Sequence, residues 1–183
     1  FFDRYQFVDF LGIMSANAGV LGWGMGWSGS GQNLGYKRVL FENIDGFKPV
    51  AHLVSGDDMY LVQAISNIAP AVFNTDQNSY SHTKPSPTIK SFISQRVRWS
   101  SNSKPSFSSR PTFFIFLLSG FLANIGILAG IFSAVAVQWI PLAFGIKFIF
   151  EAMVIFSGAR RFGIQVPPIT FVFWNALQPL YIP

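Results

Sequence analysis

Three short stretches of this chain carry residues equipped for chemistry. Ser55-Gly56-Asp57-Asp58 sets two carboxylates side by side in a glycine turn. One such acid can remove a proton while its neighbour organises the site, provided the base reaches the hydrogen it takes. The same acids also suit the start of the helix that follows, as caps on its free N–H groups. Gly29-Ser30-Gly31-Gln32-Asn33 offers small residues and amides for hydrogen bonds along a sugar, or simply a flexible loop. Gln95-Arg96-Val97-Arg98-Trp99 joins guanidinium forks, which match phosphate oxygens in pairs, to a flat indole on which a sugar ring can stack. Placed ahead of an apolar run, the same residues also read as an anchor at a lipid surface.

Other chemistries find less support. The chain has no cysteine, which excludes disulfides, zinc–thiolate sites and thiol catalysis. His52 and His82 have no partner at metal-ligand spacing, and no glycine stretch ends in the Gly-Lys-Ser/Thr of a phosphate-binding loop. The net charge of +5 comes without a long basic run, so nucleic acid is not an expected partner, whereas anionic lipid or a phosphorylated substrate is.

The elements that must position these residues follow from periodicity and punctuation. Residues 1–20 read as a helix, with Phe7, Phe10, Leu11 and Met14 at helical spacing. The glycine- and tryptophan-rich stretch 22–33 reads as a loop whose backbone comes close to something. A short helix ends at Asp45-Gly46, and Met59-Tyr60-Leu61-Val62 opens another with Ile65 and Ile68 on its apolar side. Residues 71–83 read as one or two short strands. Pro85 and Pro87 flank Ser86, a suitable N-cap for a helix from about Thr88 to Ser101. On that helix Ile89, Phe92 and Ile93 form an apolar stripe, while Gln95, Arg98 and Trp99, at i, i+3 and i+4, share a second face. Arg96 falls nearer the stripe, where lipid headgroups or a structural pair would meet it.

From Thr112 to Ile146 the chain holds no charge, enough for one membrane crossing of about 20 residues and the start of another. Gln138-Trp139-Ile140-Pro141 reads as the turn between them. Lys147 and Glu151 stand at i, i+4 in the second crossing, where charges are expensive and pairing is expected. Arg96, Arg98, Lys104 and Arg110 precede the first crossing and Arg160 and Arg161 follow the second, which places both clusters and the N-terminal half on the cytoplasmic side. Overall only 11% of residues are charged, against about 25% in soluble domains. The chain starts without Met and ends inside an apolar stretch, so it reads as an internal piece of a longer protein.

The order of these motifs resembles that of membrane-anchored family-2 glycosyltransferases of bacteria, with cellulose and hyaluronan synthases as more distant kin. The resemblance spans roughly residues 1–160, and Gln95-Arg96-Val97-Arg98-Trp99 is its most specific part. It implies an α/β fold plus transmembrane helices. Residues 1–84 would be the acceptor-side half of a GT-A catalytic domain whose N-terminal part is missing. Residues 85–110 would form an amphipathic interfacial helix. Residues 111–183 would form two to three membrane helices, at about 112–137, 141–158 and 167–183.

It further implies an inverting transfer of sugar from a nucleotide-diphosphate donor to a hydroxyl of a lipid-linked or saccharide acceptor. The reaction would run on the cytoplasmic face of the inner membrane, in a multi-pass protein. Asp58 would be the general base, with Asp57 beside it. Gln95 and Arg98 would meet the donor diphosphate, Trp99 would stack at the acceptor sugar, and Gly31 and Asn33 would line the sugar pocket. A Mg2+ or Mn2+ ion would be held mainly by a D-x-D motif that these residues lack. Two other classes remain open: a membrane transporter or channel subunit using Lys147 and Glu151, and a non-catalytic membrane scaffold.

Overall fold

In the computed structural model, which describes residues 1–53, 55–101 and 110–183, the architecture is helical. The helices are α1 (Phe2–Leu21), α2 (Arg38–Asn43), α3 (Asp57–Ser66), α4 (Ile89–Ser101), α5 (Pro111–Gly130), α6 (Ile140–Arg161) and α7 (Pro168–Leu177). No strand occurs among the described residues. The expected α/β half-domain of GT-A type is therefore corrected to an all-helical arrangement. At 71–83 the reason is local. The Asn74 side chain accepts from the Asp76 N–H at 2.9 Å, and the Asp76 side chain accepts from the Asn78 N–H at 3.0 Å. Backbone donors that a sheet would need are taken by their own neighbours, and the segment turns through Gln77–Ser79 instead.

The core forms where α1 lies against α6 and α7 and is closed by Phe92 of α4. Tyr5, Val8, Leu11 and Ala18 form the buried side of α1, whereas Phe7, expected inside, is 44% exposed. The stripe is turned because Gly158 of α6 lets Ser15 approach closely. A Cβ added at Gly158 would overlap the Ser15 side chain, and one at Gly12 would sit 3.2 Å from Ile155 Cδ1. Small residues at a helix crossing allow this approach. Phe92 meets Phe2 and Tyr5 edge-on at 5.8 and 6.1 Å, and Tyr181 at 5.6 Å.

Helix α4 begins as expected, but with a different cap. Thr88 Oγ1 accepts from the Ser91 N–H at 3.1 Å, and Ser91 Oγ accepts in return from the Thr88 N–H at 3.2 Å. Ser86, the expected cap, is held by Gln6, whose Oε1 accepts from the Ser86 N–H at 2.8 Å and whose Nε2 donates to the Ser86 carbonyl at 3.0 Å. Ile89 is 69% exposed, so the buried face of α4 rests on Phe92 and Ile93.

Two helical stretches are long and apolar enough to span a membrane: Pro111–Gly130, with 20 residues, and Val137–Arg161, with 25. Only 17% and 11% of their apolar windows are buried inside the chain, which separates them from the core helices of a water-soluble domain. The break between them lies earlier than the sequence suggested. The chain leaves the helix after Gly130, and Pro141 sits in the first turn of α6, where its missing N–H costs nothing. Helix α7 has 10 residues, or roughly 15 Å, about half the hydrocarbon thickness.

The entry to α5 is tied to α3. Arg110 Nη2 donates to the Gln63 carbonyl at 2.6 Å, to Ser66 Oγ at 2.9 Å and to Asn67 Oδ1 at 2.6 Å, setting a cation at the negative end of that helix. Trp27 Nε1 donates to Thr112 Oγ1 at 3.0 Å, and the Trp27 ring lies against Phe113 and Phe116. Lys104, counted in the basic cluster, lies outside the described residues.

Candidate functional site

Asp57 and Asp58 occupy the first turn of α3, entered through Gly56 at φ 97°, a conformation that favours glycine. Asp58 Oδ1 accepts from the Met59 N–H at 2.8 Å and Oδ2 accepts from the Gly31 N–H at 2.9 Å. The two stretches singled out for chemistry thus meet, across 27 positions of sequence. The glycines explain how. A Cβ at Gly26 would overlap Ser66, and one at Gly29 would lie 2.7 Å from Val62 Cγ2, so the loop can rest on α3 only without side chains there. The expected close approach of this backbone is real, and its target is α3. At Gly31 the space is ordinary, with Asp58 Oδ2 3.7 Å from an added Cβ.

Asn33 is exposed, and its Nδ2 donates to the Ser79 carbonyl at 2.6 Å, tying the loop to the 77–79 turn. Asp57 is exposed beside it. Each carboxylate oxygen of Asp58 takes one N–H, which leaves each with further acceptor capacity. Asp58 is only partly buried, so a hydroxyl can approach it.

The pre-membrane motif divides between two directions. Arg98 is exposed, and its guanidinium has no partner among the described residues. Trp99 is half-buried and turned toward α1, with the Arg96 guanidinium 4.2 Å from its ring centre and the Phe10 ring at 6.3 Å. Gln95 is half-buried, and its Oε1 accepts from Arg96 Nη1 at 3.3 Å. Among the described residues no hydrogen bond, ion pair or ring contact joins Asp57 or Asp58 to Gln95, Arg98 or Trp99. The expected shared face for Gln95, Arg98 and Trp99 is therefore narrower than its spacing suggested, because Arg96 draws Trp99 toward the core side of α4.

Arg96 leads to a residue that sequence reasoning passed over. Asp9 on α1 is 7% exposed and forms an ion pair with Arg96 through Oδ2. Its Oδ1 accepts from Trp174 Nε1 at 2.9 Å and from the Tyr181 hydroxyl at 2.8 Å. Donors from α4, α7 and the segment after it thus converge on one buried carboxylate. Beside it, burial pushes the Tyr5 hydroxyl up to about 12. The available signal was an acid among the apolar residues of α1; its partners, far along the chain, carried no local signal.

A second polar cluster lies on α6. Lys147 and Glu151 pair at 2.9 Å, as their spacing suggested. Glu151 Oε2 also accepts from Asn175 Nδ2 at 2.7 Å and Gln178 Nε2 at 3.0 Å, and Lys147 donates to the Asn175 carbonyl at 3.3 Å. Elsewhere, a groove of about 480 Å3 is lined by Phe41, Glu42, Asp45, Gly46, Phe47, Lys48 and Ala51.

Among the described residues no three carboxylate or imidazole groups come together as metal ligands. The resemblance assigns the Mg2+ or Mn2+ ion mainly to a D-x-D motif that the chain lacks, and Asp57 and Asp58 alone do not make up its ligand set. No protein-family model, curated protein or solved structure matches the chain at a significant level.

Proposed function

We propose that the chain takes part in moving a sugar from a nucleotide-diphosphate donor to an acceptor hydroxyl at the cytoplasmic face of a membrane. The observation that carries this reading is the hydrogen bond from the Gly31 N–H to Asp58 Oδ2, which brings the small-residue loop to a partly exposed carboxylate. Two helices able to span a membrane lie close by in the chain, and Arg110 ties the first of them to α3. The arrangement thus suits a reactive carboxylate held beside a lipid surface.

In this reading Asp58 takes the proton of the acceptor hydroxyl as its oxygen attacks the anomeric carbon. The new glycosidic bond forms as the bond from carbon to phosphate oxygen breaks, and the electron pair leaves with the diphosphate. Attack opposite the leaving group inverts the carbon. The unpaired, exposed guanidinium of Arg98 is suited to meet the diphosphate charge, and Trp99 to stack on the acceptor ring.

The polar cluster on α6 favours this reading over a transporter built on Lys147 and Glu151. Every charge there is met inside the protein, with three side chains donating to one Glu151 oxygen. Such a cluster, with its charges paired, serves to hold α6 and the α7 segment together.

The test is Asp58→Asn in the intact, membrane-embedded protein. Turnover is expected to fall about 10²- to 10⁴-fold, the usual range for a general base. Binding of the nucleotide-sugar should stay within twofold of the parent. Turnover retained by Asp58→Asn removes the carboxylate from the reaction.

A further inference from the structure

We infer that Arg96, fixed by Asp9, is a positioning residue that orients both Gln95 and Trp99. What those two side chains meet rests on the sugar-transfer reading; how they are held does not.

The geometry has three parts. First, Arg96 is fixed at one end. Its Nη2 pairs with Asp9, whose other oxygen is held by Trp174 and Tyr181, and its side chain is 15% exposed. A buried carboxylate with three donors from separate elements has little freedom to turn. Second, the guanidinium carbon lies over two rings, 4.6 Å from the Phe92 ring centre and 4.2 Å from the Trp99 ring centre. Arginine makes such contacts more often than lysine, and only its planar guanidinium can meet two rings and still donate sideways to Asp9 and Gln95. Third, Nη1 donates to Gln95 Oε1 at 3.3 Å. Arginine only donates, so this contact sets which end of the Gln95 amide faces inward. The Gln95 NH2, which has no partner among the described residues, is thereby left free to donate to an oxygen of a ligand.

One planar cation therefore sets two neighbours at once. It offers the indole as a surface and the amide as a donor, and it references both to α1 and the α7 segment instead of to α4 alone. A positioned side chain contributes to binding without touching the substrate itself, because rotamers fixed in advance need not be ordered on binding.

The test uses the full protein labelled with 5-fluorotryptophan and observed by 19F NMR in detergent. The Trp99 signal is identified by its loss in Trp99→Phe. Asp9→Asn is expected to move the Trp99 signal although Asp9 does not touch that ring, while Trp174 and Tyr181 keep an acceptor oxygen. Arg96→Lys, which retains the charge for Asp9, is expected to move it as well. In the Arg96→Lys background, Asp9→Asn should add no further movement at Trp99. A Trp99 signal unmoved by Asp9→Asn, or moved equally in both backgrounds, overturns the inference.

Kinetics supply the second arm. Arg96→Lys is expected to raise the acceptor KM about five- to tenfold through Trp99, within the reach of one lost cation–ring contact, and to raise the donor KM through Gln95, with the thermal midpoint unchanged. A thermal midpoint that falls while both KM values rise would mark Arg96 as a fold staple only, and overturn the inference. If the parent protein transfers no sugar, the functional reading fails by itself, and the 19F signals still decide how Trp99 is held.

Discussion

Asp58 and Asp9 are both carboxylates on helices, and their surroundings are nearly opposite. Asp58 sits in the first turn of α3, partly exposed, with two backbone N–H donors and lone pairs to spare. Asp9 is buried in the middle of α1, with a cation, an indole N–H and a phenol hydroxyl on its two oxygens. The first arrangement keeps a reactive group available; the second spends all its capacity on holding helices together. The same side chain is thus assigned to chemistry or to architecture by how many donors surround it and by whether water can reach it.

Removing each acid should make this contrast measurable. Asp9→Ala leaves Arg96 without a counter-charge and Trp174 and Tyr181 without an acceptor, so a loss of about 3–5 kcal/mol is expected, the usual result of breaking one side of a buried pair. Asp58→Ala removes a contact at a helix start and an exposed bond from the Gly31 N–H, where about 0.5–1.5 kcal/mol is at stake. Chemical or thermal unfolding in detergent reads both. Equal losses would erase the distinction between the two acids.

The sequence made some of this legible and left other parts out of reach. Apolar length placed α5 and α6, and i, i+4 spacing placed the Lys147–Glu151 pair, because both signals are local. Glycine punctuation ended α2, where Asp45 and Gly46 both take φ 58°. The strands expected at 71–83 failed because a local reading of residue types says nothing about partners. Asn74 and Asp76 satisfy their own backbone in turns, and no neighbouring strand competes among the described residues. At the site, spacing put Gln95, Arg98 and Trp99 on one side of α4. It could not show that Asp9, 87 positions before Arg96, would draw the guanidinium and with it the indole toward α1. Tertiary charge pairing set the directions that helical periodicity left open.

The contact between Ser15 and Gly158 sharpens the same contrast from the packing side. If α1 is held to α6 by close approach as well as by Asp9, then Gly158→Ala should destabilise the protein by about 1–3 kcal/mol, as overpacking does. Gly120→Ala, on the open side of α5 where an added Cβ meets nothing, should be near neutral. Ser15→Gly in the Gly158→Ala background is expected to restore part of the loss. An unchanged midpoint for Gly158→Ala would mean that the Asp9 cluster alone carries the α1–α6 junction.

The smallest expected effect is one of pH. Burial raises the Tyr5 hydroxyl to about 12, with Asp9 acting in the same direction and Arg96 and the Tyr181 hydroxyl against it. The folded protein therefore holds this group neutral, whereas the unfolded chain ionises it near 10. The neutral form's advantage is intact below pH 10 and is lost as pH rises from there through about 12, so stability should fall across that alkaline window. Tyr5→Phe keeps the ring against Phe92 and removes one of the cluster's two phenol titrations, so it should lessen the alkaline fall in thermal midpoint and leave the part due to Tyr181. Asp58→Asn, measured alongside, should leave the slope of the midpoint between pH 10 and 12 as it is in the parent. A parent and a Tyr5→Phe variant that fall together above pH 10 would remove Tyr5 as a source of the alkaline sensitivity and leave Tyr181 as the phenol of the Asp9 cluster to test.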